Sequence, residues 1–161
     1  MMRTEIRKIS AKDNAAMARI IREVMPEFGA NGPGFAIHDP EVDDLNAAFS
    51  NERSAYYVCV VNGMIIGGAG VAPLKGGDPD TCELQKMYLL PSSRCKGYGK
   101  TLLDICLKTA RELGYSRCYI ETFSTMNTAI GLYEKSGFSR IPGPMGSTGH
   151  FGCNTFYVLD L

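Results

Sequence analysis

Arg94-Cys95-Lys96-Gly97-Tyr98-Gly99 interrupts a chain that is otherwise regularly patterned. It stands between an apolar, strand-like run, Cys82 to Leu90, and the clearest amphipathic stripe in the sequence: Leu102, Leu103, Cys106, Leu107, Ala110 and Leu113. The stripe recurs at three- and four-residue intervals, the period of one helix face. The glycines let backbone N–H groups turn inward with no Cβ in the way. The positive end of the next helix's dipole points to the same place, and Arg94, Lys96 and Lys100 add charge. Together these features describe a seat for a diphosphate. As loop chemistry alone, glycines before a helix are about as often a plain turn.

A nucleotide-binding P-loop is one competitor for this stretch. Gly99-Lys100-Thr101 matches its end, but the pattern Gly-x-x-x-x-Gly-Lys-Ser/Thr needs a glycine where Arg94 stands. The strand that follows ends in Glu121-Thr122-Phe123, with no clear Asp for magnesium. A small nucleotide phosphotransferase is therefore disfavoured.

Outward from the loop, the pattern alternates strands and helices. Arg3 to Ile9 reads as an edge strand, and Ser10 or Asp13 as the cap of a helix carrying Ile20, Ile21, Val24, Met25 and Phe28. That helix should end in the glycines between Gly29 and Gly34. Asp39-Pro40-Glu41 starts a second, shorter helix that runs to about Asn51. Ala55–Val61 and Met64–Ala72 flank Asn62-Gly63, a strong hairpin signal. Gly67, Gly68 and Gly70 weaken the second of these strands unless backbone or ligand approaches closely. After Cys82–Leu90 come a helix over 99–113, a strand over 116–123 and a helix with Met126, Ala129, Ile130 and Tyr133. A short strand from Phe138 to Ile141, a flexible loop from Pro142 to Gly149 and a closing strand from Thr155 to Leu161 complete the chain. The strand–helix–strand unit over 82–123 forces one parallel pair by a right-handed crossover, while the hairpins are antiparallel. The expected class is α/β: a mixed, mostly antiparallel sheet of six to seven strands with about four helices on its faces.

At 161 residues, one domain over 1–161 is expected. Apolar residues make up 45% and charged residues 21%, ordinary for a folded protein. Lys plus Arg equals Asp plus Glu at 17 each, so no basic surface marks a nucleic-acid partner. The longest plain apolar run, Tyr56–Val61, is too short for a bilayer, and Met1 to Glu5 has no signal-like core. A cytoplasmic protein with no membrane partner is expected. The six cysteines are scattered without a Cys-x-x-Cys pair and read as reduced thiols. His150 and Cys153 have His-x-x-Cys spacing but lack a second ligand pair, so no metal is expected.

Arg94-x-x-Gly97-x-Gly99 resembles the pyrophosphate motif of the GNAT superfamily of acyl-CoA-dependent N-acetyltransferases. The likeness extends over Glu83-Leu84-Gln85-Lys86-Met87-Tyr88-Leu89-Leu90-Pro91 before it. It continues over Asn127-Thr128-Ala129-Ile130-Gly131-Leu132-Tyr133-Glu134-Lys135-Ser136-Gly137-Phe138 after it. The stretch from Glu83 to Phe138 is similar to a bacterial subgroup without a firmly assigned substrate, and the element order agrees along the whole chain. Cys95 stands where many members have a further glycine.

The resemblance implies acetyl-CoA as co-substrate and acetyl transfer to a primary amine of a small molecule or peptide. Its cofactor seat would comprise Arg94, Cys95, Lys96, Gly97, Gly99 and Lys100. The strand Met87, Tyr88 and Leu89 would supply a backbone donor for the oxyanion and pair with the pantetheine arm. Asn127 would hold that arm; otherwise it caps a helix. Glu83 would be the base, against an ordinary strand-end carboxylate. Tyr133 would be the acid that protonates the leaving thiolate, although helical spacing alone makes it core. His150, beside the glycine loop, is a second base candidate, and His38 a weaker one. A non-catalytic acyl-CoA sensor is the alternative. Dimers are common in the superfamily, and no stripe here marks the interface of a homodimer.

Overall fold

In the computed structural model, residues 1–30 and 32–161 are described. The elements are β1 (Thr4–Lys8), α1 (Asn14–Glu27), α2 (Leu45–Ala48), β2 (Ala55–Val61), β3 (Met64–Pro73) and β4 (Thr81–Leu89). They continue with α3 (Tyr98–Glu112), β5 (Arg117–Thr122), α4 (Asn127–Lys135), β6 (Ser139–Ile141) and β7 (Thr155–Asp160). The seven strands lie in the order β1-β2-β3-β4-β5-β7-β6. Every pair is antiparallel except β4–β5. This is the expected mixed sheet.

Each face of the sheet carries its own core. One packs Leu102, Leu103, Cys106, Leu107 and Ala110 of α3 against Cys59, Val71, Cys82, Leu84, Cys118 and Ile120. The other packs Met17, Ile20, Ile21, Val24 and Met25 of α1, with Leu45 and Phe49, against Tyr56, Val58 and Val60. Alternation along β2 sends even positions to α1 and Cys59 to α3.

α1 begins where the sequence signals it. Asp13 accepts from the Ser10 amide at 2.8 Å and takes both terminal nitrogens of Arg7, at 2.7 and 3.0 Å. The Arg7 guanidinium, opposed by burial, holds the Asp13 carboxyl down to about 2.

The expected helix over 39–51 is broken. A 3-10 turn covers Pro40–Asp43, and α2 is only Leu45–Ala48. Asp44 departs from helical geometry at φ −145° because its carboxylate caps α2, accepting from the Ala47 amide at 3.2 Å. Asn14 of α1 also reaches it, donating at 2.9 Å. A short polar side chain that bonds local backbone competes with helix continuation.

The β3 glycines admit neighbours rather than ligand. A Cβ on Gly70 would sit 2.6 Å from the Tyr56 ring, and one on Gly67 would strike the Tyr88 carbonyl. Tyr56 lies over that space and donates its hydroxyl to the Lys86 carbonyl at 2.7 Å. Lys86 is the bulge of β4: its φ is +50°, and the β3–β4 register slips between Gly68 and Gly70.

Candidate active site

β4 and β5 are joined by only three pairs: Thr81–Arg117, Cys82–Cys118 and Glu83–Tyr119. Beyond Glu83 the bulge turns β4 aside, and among the described residues no strand pairs with that edge of Leu84–Leu89. A cavity of about 550 Å³ fills the gap, walled by Met87, Tyr88 and Leu89 on one side and by Asn127, Gly131 and Leu132 of α4 on the other. Its floor is the turn into α3, where Arg94, Cys95, Gly97, Gly99 and Lys100 line it. Amides in the first turn of α3 have no acceptor inside the helix.

Cys95 and Gly97 both take left-handed backbone, at φ +60° and +88°. That conformation disfavours side chains, which explains why a glycine suits the position of Cys95. Lys96 is exposed and does not line the cavity. The side-chain amide of Asn127 has no partner among the described residues, and the α4 cap is Met126, so its alternative role as a cap does not hold. Arg94 is held across the cavity by a bidentate pair with Glu27, at 2.8 and 3.0 Å, and lies 5.1 Å from the Phe28 ring centre.

Glu83 and Tyr133 come together at a smaller cavity of about 50 Å³, which shares Met87, Tyr88 and Met126 with the larger one. Tyr133 is buried between Phe138 and Tyr157, and its hydroxyl has no protein partner among the described residues. Burial pushes its pKa up, so it is a phenol at neutral pH.

Glu83 is 4% exposed and accepts from the Gln85 amide at 2.7 Å. Burial, and then the nearby Glu121 carboxylate, push its pKa up to about 7. Both causes disfavour the charged form and leave a carboxyl poised near neutrality.

Behind Glu83 lies a polar cluster. His150 stands between Asp39, 2.8 Å from Nε2, and Glu121, 3.2 Å from Nδ1. These partners raise its pKa to about 9, so the ring is an imidazolium at pH 7 and a poor base. Glu121 also accepts from Tyr119 at 2.9 Å and from the Thr148 hydroxyl. Lys86, its side chain 2% exposed, donates to Asp39 at 3.0 Å and Glu41 at 2.5 Å.

Glu83, Glu121 and His150 each bring a ligand atom within 4.8 Å of the others, close enough for a cation. Both imidazole nitrogens face carboxylates, Nε2 that of Asp39 and Nδ1 that of Glu121. Cys153 is no part of this group; burial pushes its thiol up to about 12.

The loop from Pro142 to Gly149, expected to be flexible, and the residues just after it are pinned at several points. Ser147 donates its amide to the Lys75 carbonyl at 2.7 Å, Gly152 donates to the Gly34 carbonyl at 2.9 Å, and His150 makes the ion pairs above. Asp39, Lys86, Glu121, Thr148 and the Glu27 latch carried no motif and escaped the sequence reading. His150, beside the glycine loop, was the one sequence signal for this cluster.

A splayed parallel pair above a glycine-rich helix start, with the element order of this sheet, defines an acyl-CoA-dependent acetyltransferase. The family model for Acetyltransferase (GNAT) family matches residues 17–138, and the chain belongs to that family. It is 42% identical over 157 residues to the N-acetyltransferase YjgM of Escherichia coli K12, covering 97% of this chain and 94% of that one. A GNAT-family acetyltransferase of Staphylococcus aureus Mu50 superposes with a TM-score of 0.85 at 22% identity, covering 99% of both chains. Salmonella typhimurium YncA, solved with its cofactor acetyl-CoA, superposes at 0.77 with 23% identity, over 99% of this chain and 94% of that one. No helix among the described residues is long and apolar enough to cross a membrane.

Proposed function

We propose that the protein transfers the acetyl group of acetyl-CoA directly to a primary amine of a small molecule, within a ternary complex. The observation that carries this is continuity of space. The cofactor cavity meets the small cavity at Met87 and Tyr88. The small cavity in turn shares Glu83, Gln85 and His150 with an open cleft of about 390 Å³ on the far side. Glu83 is the wall common to the small cavity and the cleft.

In this reading the pyrophosphate lies on the Arg94–Lys100 turn, displacing Glu27 from Arg94. The pantetheine arm runs along the unpaired edge of β4 and places the thioester beside Glu83 and Tyr133. An alkyl ammonium of pKa about 10.4 must lose a proton before it can attack. Glu83 accepts it, and a base near 7 is better matched to that task than an ordinary carboxylate. The amine nitrogen bonds to the thioester carbon, and a β4 amide between Met87 and Leu89 donates to the oxyanion. As the oxyanion collapses the C–S bond breaks, Tyr133 gives its proton to the thiolate, and the second proton shed by the nitrogen as the amide forms returns to the Tyr133 phenolate directly or through water. His150, as an imidazolium, holds Glu121 and Asp39 in place rather than acting as base.

Calorimetric titration with acetyl-CoA and, separately, with Mg-ATP tests the cofactor. Micromolar acetyl-CoA binding with no heat from Mg-ATP is expected; preference for ATP removes the proposal. Tyr133→Phe is expected to cut turnover at least tenfold while CoA still binds. Turnover equal to wild type would strip Tyr133 of its role.

A further inference from the structure

The open cleft beyond Glu83 is lined by Phe49, Ala48, Ser54, Ala72, Pro73 and Gln85, together with Asp39, Glu41 and His150. Its volume of about 390 Å³ lies at the small end of ligand pockets. Within it, Ser54 is 8% exposed, and its Oγ, closed off from solvent, has no hydrogen-bond partner among the described residues. A buried hydroxyl left unpaired is costly and calls for a partner.

Its position relative to Glu83 follows from the register. Ala55, the first residue of β2, pairs with Val71, and the next residue along β3, Ala72, pairs with Glu83. Ser54, Ala72 and Glu83 thus stand in one row across adjacent strands, with only the Ala72 methyl between hydroxyl and carboxylate. Two strand spacings are about 10 Å. A rotation about χ1, which has three staggered wells, turns the Ser54 hydroxyl into the cleft.

Charge narrows the occupant further. Asp39, Glu41 and Glu121 share two cations, Lys86 and His150, so one negative charge of that cluster is left uncompensated. With Glu83 it attracts an ammonium, and the Gln85 carbonyl oxygen beside Glu83 is without a partner among the described residues. At the Ser54 end the walls are Phe49, Ala48, Ala72 and Pro73 with Asn51, and none of them offers a second charge a counter-ion. Lys75 reaches the cleft only from its exposed rim.

We infer that this cleft takes a primary monoamine with an uncharged hydrogen-bonding tail, a hydroxyl or amide no more than about eight bonds from the nitrogen, and that Ser54 recognises that tail. The inference rests on the acetyl-transfer reading and adds the class of acceptor.

The test uses four probes of equal chain length: aminopentanol, pentylamine, aminopentanoate and diaminopentane. Release of CoA thiol is followed at saturating acetyl-CoA. The wild type is expected to prefer aminopentanol to the other three by at least tenfold in kcat/KM. In Ser54→Ala the preference over pentylamine should fall to about twofold, through KM rather than kcat. A bare cavity filler would lose stability on truncation. Here the free Ser54→Ala protein should melt at or above the wild-type temperature, because an unpaired hydroxyl is removed. Preference for diaminopentane or aminopentanoate, or a preference that survives Ser54→Ala, overturns the inference. Calorimetry of aminopentanol against the protein–CoA complex separates the two readings. Ser54-dependent binding without thiol release upholds the cleft assignment and sinks acetyl transfer. Neither binding nor release sinks the cleft assignment.

Discussion

Glu83→Gln should stabilise this protein while disabling it, and the gain should depend on pH. The native fold holds the Glu83 carboxyl near 7 against an ordinary value of 4.5. Its folded pKa lies above its unfolded one, so the native state favours the protonated acid. Between these values the unfolded chain releases the proton first, and stability falls as pH rises. At about 1.4 kcal/mol per pH unit, the loss across that interval comes to about 3 kcal/mol. Glutamine keeps an oxygen for the Gln85 amide, 2.7 Å away in the native protein, and carries no charge. The variant should therefore match the wild type at pH 4, draw ahead through pH 6, and hold its full lead above pH 8. For a chain of this length, about 3 kcal/mol corresponds to roughly 6–12 °C in Tm. Differential scanning calorimetry of both proteins from pH 4 to 8 measures it, and titrating groups remote from Glu83 cancel in the difference. Loss of the base should lower kcat/KM by about a hundredfold or more above pH 7, and the gap should close toward pH 4, where Glu83 of the wild type is itself protonated. A variant no more stable than wild type at pH 8, or equally ahead at pH 4, would refute the account of Glu83.

Other outcomes follow from the same geometry. Glu27→Gln frees Arg94 from a pair that the pyrophosphate must displace, and should tighten acetyl-CoA binding by about threefold at low salt, as measured by calorimetry. Asp13→Ala removes the buried carboxylate that accepts from the Ser10 amide and pairs with Arg7 ahead of α1, and should cost about 1–2 kcal/mol in urea unfolding at pH 7. Asp13 has a lowered folded pKa of about 2, so its contribution is full above pH 4 and fades as pH falls toward 2; the two proteins should converge there. Cys95→Gly relieves left-handed backbone at φ +60° and should raise Tm by about 1–3 °C.

Much of the architecture could be read from local chemistry. The period of Leu102 to Leu113, the Asn62-Gly63 turn and the single crossover each constrain neighbours along the chain, and the sheet followed. The 39–51 segment was misread because Asp44 serves two helices at once, one of them thirty residues away in sequence. The turn proposed to seat the cofactor stood out because it is contiguous: one loop supplies most of its groups. The cluster behind Glu83 did not, because Asp39, Lys86, Glu121 and the Thr148–His150 loop come from four separate places in the chain and meet only after the sheet closes. Nothing at Lys86 marks it as a bulge; its positive φ is imposed by the Tyr56 hydroxyl and the register of β3. Ser54 is an ordinary serine before a strand until burial leaves it without a partner.

The three pairs that join β4 to β5 leave the sheet with a seam. On one side β1 to β4 form a continuous antiparallel sheet, and on the other β5, β7 and β6 form a second. A ligand seated between Met87–Leu89 and α4 therefore acts as a stitch, adding rungs where the protein has none. Hydrogen exchange should register this on both banks at once. Amides of β4 beyond Glu83, and those of the first turns of α3 and α4, should slow together when acetyl-CoA binds, while β1 and β2, far from the seam, keep their rates.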